Sequence, residues 1–127
     1  MWRKLGYSLL LAGAIFNTPA SAMTYTLAPQ MRIDYDLLPN VSIEVINLAP
    51  WTIRAKCTFT LQDPSDDISI EMLNSTGKIN DQPVAKGDTI ILTIHPQDKM
   101  VISADKGTKV KLTNLGQSIV KTSCSTY

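Results

Sequence analysis

The chain of 127 residues has one histidine, His95, and two cysteines, Cys57 and Cys124. A lone imidazole excludes the multi-histidine ligand sets of zinc and copper sites, and it leaves any histidine-based catalysis resting on one side chain. No Gly-x-Ser-x-Gly elbow, no His-Glu-x-x-His helix motif and no nucleophile with a neighbouring base is present. An excess of one charge is missing as well, with 12 basic residues against 11 acidic. That balance gives no electrostatic footprint for nucleic acid or for an anionic membrane surface. Apolar residues nowhere recur at i, i+3, i+4 and i+7 over a useful length, which excludes a long amphipathic helix. The apolar run over 5–16 is shorter than the about 20 residues a membrane span requires.

That run has a different meaning. Arg3 and Lys4 precede it and Ala20-Ser21-Ala22 follows, the order of a secretory signal peptide cleaved between Ala22 and Met23. No cysteine lies near the cut, so a lipid anchor there is not expected, and the Leu/Ala-rich style points to a bacterial export signal. Residues 1–22 are therefore expected to leave, with 23–127 as a single mature domain. Without Arg3 and Lys4, ten basic residues face 11 acidic ones, a formal charge of −1.

What the mature chain does contain is period-two patterning. Ile53, Ala55, Cys57, Phe59 and Leu61 alternate with Thr52, Arg54, Lys56, Thr58 and Thr60, as a strand with one buried and one wet face requires. Shorter alternations run through 41–45, 68–72, 109–113 and 118–125. Turn-forming clusters separate them, among them Leu38-Pro39-Asn40, Lys86-Gly87-Asp88, His95-Pro96-Gln97-Asp98 and Asp105-Lys106-Gly107. About seven or eight short strands in one all-β domain predict an antiparallel β-sandwich of immunoglobulin-like outline, with a small β-barrel as the alternative. Stretches 76–80 and 83–85 are weak strand candidates because each is so short.

Cys57 and Cys124 both fall on the apolar side of their alternations. An even cysteine count in an exported small domain predicts a disulfide between them, tying an early strand to the last. Trp51 precedes Cys57 by six residues, whereas the buried tryptophan of immunoglobulin domains lies beyond the first cysteine. It is expected at the rim of the core.

Candidates for contact with a partner are Trp51, the turn Asn74-Ser75-Thr76-Gly77, and His95 at the end of the apolar run 90–94. Over four residues the 74–77 turn resembles the Asn-Pro-Thr-Thr-Gly loop of chagasin-type cysteine-protease inhibitors, which are exported immunoglobulin-like domains. The proline of that loop is missing here, as are the family's glycine-rich turn and Arg-Pro-aromatic turn. The resemblance implies no more than the general idea of an exported inhibitor. Asp63, Asp66 and Asp67 supply carboxylates close together but lack the spacing and glycine of a calcium-binding EF-hand loop. No metal or cofactor is expected. Arg54, Lys56, Lys109, Lys111 and Lys121 take outward positions and would make one positive face if their strands shared a sheet.

The expectation is an exported, non-enzymatic protein-binding or accessory factor of the bacterial envelope or of a secreted assembly, making contact through its turn-bearing ends or through an uncovered edge strand that accepts another chain. It would be periplasmic or secreted, with a protein partner, no nucleic acid and no membrane span in the mature chain. Two competing readings are a secreted inhibitor or host-interacting factor, and a pilin-like subunit in which the alternating segment 23–36 acts as a donor strand.

Overall fold

Alternating residues bury one side chain in two, and a chain built this way must stack two sheets so that the buried faces meet. The computed structural model describes residues 23–127; the expected signal segment and Ala22 lie outside the described residues. Eleven strands follow one another: β1 (Met23–Leu27), β2 (Arg32–Leu37), β3 (Ser42–Asn47), β4 (Ile53–Thr60), β5 (Asp66–Asn74), β6 (Thr76–Ile79), β7 (Gln82–Ala85), β8 (Thr89–Ile94), β9 (Lys99–Ala104), β10 (Lys109–Asn114) and β11 (Val120–Thr126). A five-stranded sheet has the order β1-β3-β10-β5-β8, and a six-stranded sheet the order β2-β11-β4-β9-β6-β7. The fold is an all-β sandwich. Neither sheet closes on itself, so the barrel alternative falls.

The strand count exceeds the expected seven or eight, a number that already included the two weak candidates. The segment 23–36 forms two strands, β1 in one sheet and β2 in the other. The weak candidates at 76–80 and 83–85 are real strands, β6 and β7, joined at Asn80 and Asp81. Both of these residues have positive φ (50° and 67°), as a two-residue hairpin turn that matches strand twist demands. A second difference concerns direction. β1 pairs with β3 in parallel, Met23 beside Ile43 and Leu27 beside Asn47, so the sandwich is not wholly antiparallel.

The immunoglobulin-like outline survives in the centre. The neighbours β3-β10-β5 and β11-β4 correspond to strands B-E-D and F-C of that fold. Strand G would lie beside F; here β2, from the N-terminal side, takes that place antiparallel to β11.

The core lies between the sheets, with Phe59, Leu37, Ile68, Ile94, Met100, Leu112 and Val120 fully buried. Cys57 and Cys124 are bonded, and both sulfurs are buried. They stand directly opposite each other on β4 and β11 with a Cα separation of 4.0 Å. The bridge thus staples neighbours within the six-stranded sheet, unlike the inter-sheet bond of antibody domains. Tyr35 on β2 donates its hydroxyl to Cys124 Sγ at 3.7 Å, since a disulfide sulfur has no proton to give. Burial pushes the Tyr35 phenol well above its ordinary value.

Two fully buried asparagines fasten the ends of the sandwich. Asn47 donates Nδ2 to the carbonyls of Trp51, Ala104 and Asp105, while its Oδ1 accepts the Ala49 N–H. At the opposite end Asn114 donates Nδ2 to Leu37 and Ser118 carbonyls, and its Oδ1 accepts the Gly116 N–H. Each satisfies loop carbonyls that would otherwise be buried without partners, which costs about 1–3 kcal/mol per group.

Candidate functional site

Of the sequence-predicted contact residues, Trp51 and the 74–77 turn come together and His95 stands apart. Trp51 lies in the β3–β4 loop, 55% exposed, and Leu48, at the start of the same loop, is 69% exposed. Its neighbour Thr52 donates to Asp105 Oδ1, and Thr76 donates to Asp105 Oδ2, so one carboxylate joins the tryptophan loop to the 74–77 corner. Asn74 and Ser75 donate to the Gly107 and Lys106 carbonyls. These polar groups hold the β9–β10 turn. Gly77 is buried against β9, where a Cβ would overlap the Ser103 carbonyl oxygen. The sequence resemblance to an inhibitor loop therefore falls on a one-residue corner between β5 and β6, centred on Ser75 at φ 66°.

His95 begins the turn between β8 and β9 at the other end. Asp98 Oδ2 accepts its N–H at 2.8 Å and lies 3.1 Å from Nδ1. The His95 N–H is the main cause holding the Asp98 carboxyl below its ordinary value, with the ring contact second. The histidine thus closes a turn.

The carboxylates near Pro64 do not assemble a cation site. Among the described residues no group of three histidine, cysteine or acidic side chains could hold a metal. Asp66 is buried, its Oδ1 accepts the Asp67 N–H at 2.7 Å, and its Oδ2 has no partner. Desolvation raises its carboxyl above the ordinary range, against the lowering effect of the Asp67 N–H. It packs on Gly116, where any Cβ would collide with the carboxylate. Between the sheets lies a cavity of about 20 Å³ bounded by Leu27, Tyr35, Val45, Ile102 and Cys124. It has room for about one water molecule.

The expected single positive face divides in two. Lys109 and Lys111 belong to β10 in the five-stranded sheet and pair with Glu44 at 3.2 Å and Glu71 at 3.9 Å. Arg54, Lys56 and Lys121 lie on the six-stranded sheet, with Lys78 and Lys99 on strands of the same sheet. None of these five makes an ion pair among the described residues.

The sequence allowed an uncovered edge strand as a contact region without showing which strand, and the outer edge of β8 is such a place. It pairs only with β5, so its other side offers unpaired backbone groups. The Asp88 carbonyl accepts the Met72 N–H at 2.9 Å. The strand alternation from that point turns the N–H and C=O of Thr89, Ile91 and Thr93 outward. Their side chains are exposed too, Ile91 by 54%. Ile90 and Leu92 point at the core but stay half-buried, because no strand covers them from the side. From Thr89 to Ile94 there is no charge and no proline. The only hint in the sequence was the apolar run at 90–94, which reads as a strand but says nothing of its place in a sheet.

Comparison with protein-family models, with curated proteins and with solved structures finds no match to this chain.

Proposed function

We propose that the protein is an exported, non-enzymatic β-sandwich that binds another polypeptide by strand addition at the β8 edge. The observation that carries this reading is the uncharged, proline-free edge Thr89–Ile94, whose outward backbone groups and flanking apolar side chains are uncovered. Strand addition uses such an edge: main-chain hydrogen bonds supply affinity, and alternate side chains supply specificity. Export is supported by the signal-like segment before Met23 and by the Cys57–Cys124 bond, which suits an oxidising compartment.

A second reading is favoured by the five cations of the six-stranded sheet that have no acidic partner among the described residues. They would receive an acidic partner on that face. Photo-cross-linkers placed at Thr93 and, separately, at Lys56 in the exported protein separate the two. Capture from Thr93 alone is expected. Capture from Lys56 alone would move the contact to the cationic face, and N-terminal sequencing that fails to find Met23 first would remove the export reading.

A further inference from the structure

The β8 edge also says what fits it. Resting on the reading of that edge as the contact surface, we infer that its occupant is a second copy of the same strand, paired antiparallel about a two-fold axis through Ile91. Three observations lead there.

The first is sequence self-complementarity. Read from either end about Ile91, the segment 89–93 is Thr-Ile-Ile-Leu-Thr or Thr-Leu-Ile-Ile-Thr. A two-fold at Ile91 sets Ile91 against Ile91, Thr89 against Thr93, and Ile90 against Leu92. Such isologous pairing is what closed dimers use, because each residue meets its counterpart twice.

The second is backbone phase. Thr89, Ile91 and Thr93 are the residues whose N–H and C=O groups face outward, and this register pairs those three with one another. It yields about six new backbone hydrogen bonds. Sliding by one residue would set outward groups against inward ones. Sliding by two would leave part of the edge unpaired and oppose threonine to isoleucine.

The third is the chemistry of the two faces and the flanks. On the inner face Ile90 and Leu92, both half-buried, would each gain a branched neighbour from the second copy. On the outer face Thr–Thr and Ile–Ile pairs suit neighbouring strands. Beyond the strand, Asp88 falls opposite Ile94 and Lys86 opposite Pro96, so no like charges are opposed. The next outward pair, Gly87 and His95, already spend their N–H groups on the Met72 carbonyl and on Asp98 Oδ2, which ends the pairing there. The two five-stranded sheets would become one continuous sheet.

The competing donor within a second copy is β1, also an uncharged edge strand. Pairing of β1 with β8 is heterologous and would propagate into an open chain of molecules, whereas the two-fold pairing stops at two.

The test uses the exported protein purified with its Cys57–Cys124 bond intact. Sedimentation should give twice the monomer mass, falling to the monomer mass in Ile91→Lys with its circular dichroism unchanged. Ile91→Cys should form an intermolecular disulfide under mild oxidation. Residues directly opposed in a hydrogen-bonded pair lie about 5.5 Å apart at Cα, within the reach of that bond. Thr89→Cys should not link to itself but should link to Thr93→Cys in a mixture. A dimer in which Ile91→Cys fails to cross-link, or in which Ile91→Lys changes nothing, overturns the pairing. A ladder of masses overturns it in favour of β1–β8 chains. A monomer at every concentration also overturns it: if Thr93 still captures a different polypeptide, the edge reading stands alone, and if Thr93 captures nothing, both fall.

Discussion

The two sheets end differently. The six-stranded sheet finishes at β2, which carries Arg32, Asp34 and Asp36 on its exposed positions, and at β7, which carries Pro83. Charge and proline are the ordinary means by which an edge strand is kept from pairing with another chain. The five-stranded sheet finishes at β1 and β8, Met-Thr-Tyr-Thr-Leu and Thr-Ile-Ile-Leu-Thr-Ile, with no charge and no proline between them. Lys109 and Lys111 are neutralised on its face by Glu44 and Glu71, whereas on the six-stranded sheet only Arg32 is paired, with Asp34, and Arg54, Lys56, Lys78, Lys99 and Lys121 make no ion pair among the described residues. One sheet is built to be left alone at its edges, and the other has edges ready for a further strand. The contrast teaches that two sheets sharing one core can differ in edge protection alone, and the proposed adhesion follows from that difference.

That contrast can be broken or sharpened. The largest effect is expected from the covalent staple that the six-stranded sheet has and the five-stranded sheet lacks. Replacing Cys57 and Cys124 together by alanine should cost about 2–4 kcal/mol in urea unfolding, with loop closure over a sequence separation of 67 setting the upper end. An unchanged midpoint would show that the strands need no staple. Next, removing protection should create adhesion: Arg32→Thr, Asp34→Thr and Asp36→Thr together should give β2 a second adhesive edge. Light scattering should then report assemblies larger than wild type, while the unfolding midpoint moves little. No added association would mean that edge charge is not what distinguishes the sheets.

Smaller effects probe the interior of each sheet. Thr122 in β11 has a buried hydroxyl without a partner. Thr122→Val should therefore raise stability, by about 1 kcal/mol. A loss instead would reveal that the hydroxyl is satisfied in solution. The smallest effect concerns Asp66, at the start of β5, whose carboxyl is raised by burial. The folded state then holds that proton more tightly than the unfolded chain does. Its contribution is present below the unfolded value and is lost as the pH rises through the raised folded value. Asp66→Asn should remove that loss, so the difference from wild type should grow in favour of the variant from acid to neutral pH. Asp34 and Asp98, both lowered, slope the other way in both proteins and cancel in that difference. A constant offset between the two unfolding curves across pH would exclude Asp66 as the cause.

Much of this architecture was legible in the residues themselves. Ile53 to Leu61 reads as β4, and Ile68, Ile70 and Met72 as the inner face of β5, because period-two burial leaves a direct mark on composition. Cys57 and Cys124 could be paired from count and expected compartment. Other features left no mark. Asn47 and Asn114 are fully buried, yet a polar residue at the end of an alternation looks like the start of a loop. Their worth depends on carbonyls brought in from distant turns. β6 and β7 have four residues each, too few for periodicity to speak, and are held by pairing with β9 and with each other. Lys109 and Lys111 looked like companions of Arg54 and Lys56 because outward positions can be read locally, whereas sheet membership cannot.

By itself the sequence determined the all-β class, the inward side of the main strands, the positions of most turns and the pairing of its two cysteines. These follow from the local two-residue alternation, from turn chemistry and from counting. Only the tertiary structure decided that β1 runs parallel to β3, that β2 stands beside β11, and that β8 rather than β5 is left at an edge. Those outcomes depend on which strands lie side by side, and hydrogen bonds between strands far apart in the chain carry almost no side-chain signature. The open edge, and with it the reading of what this protein does, belongs to that second class.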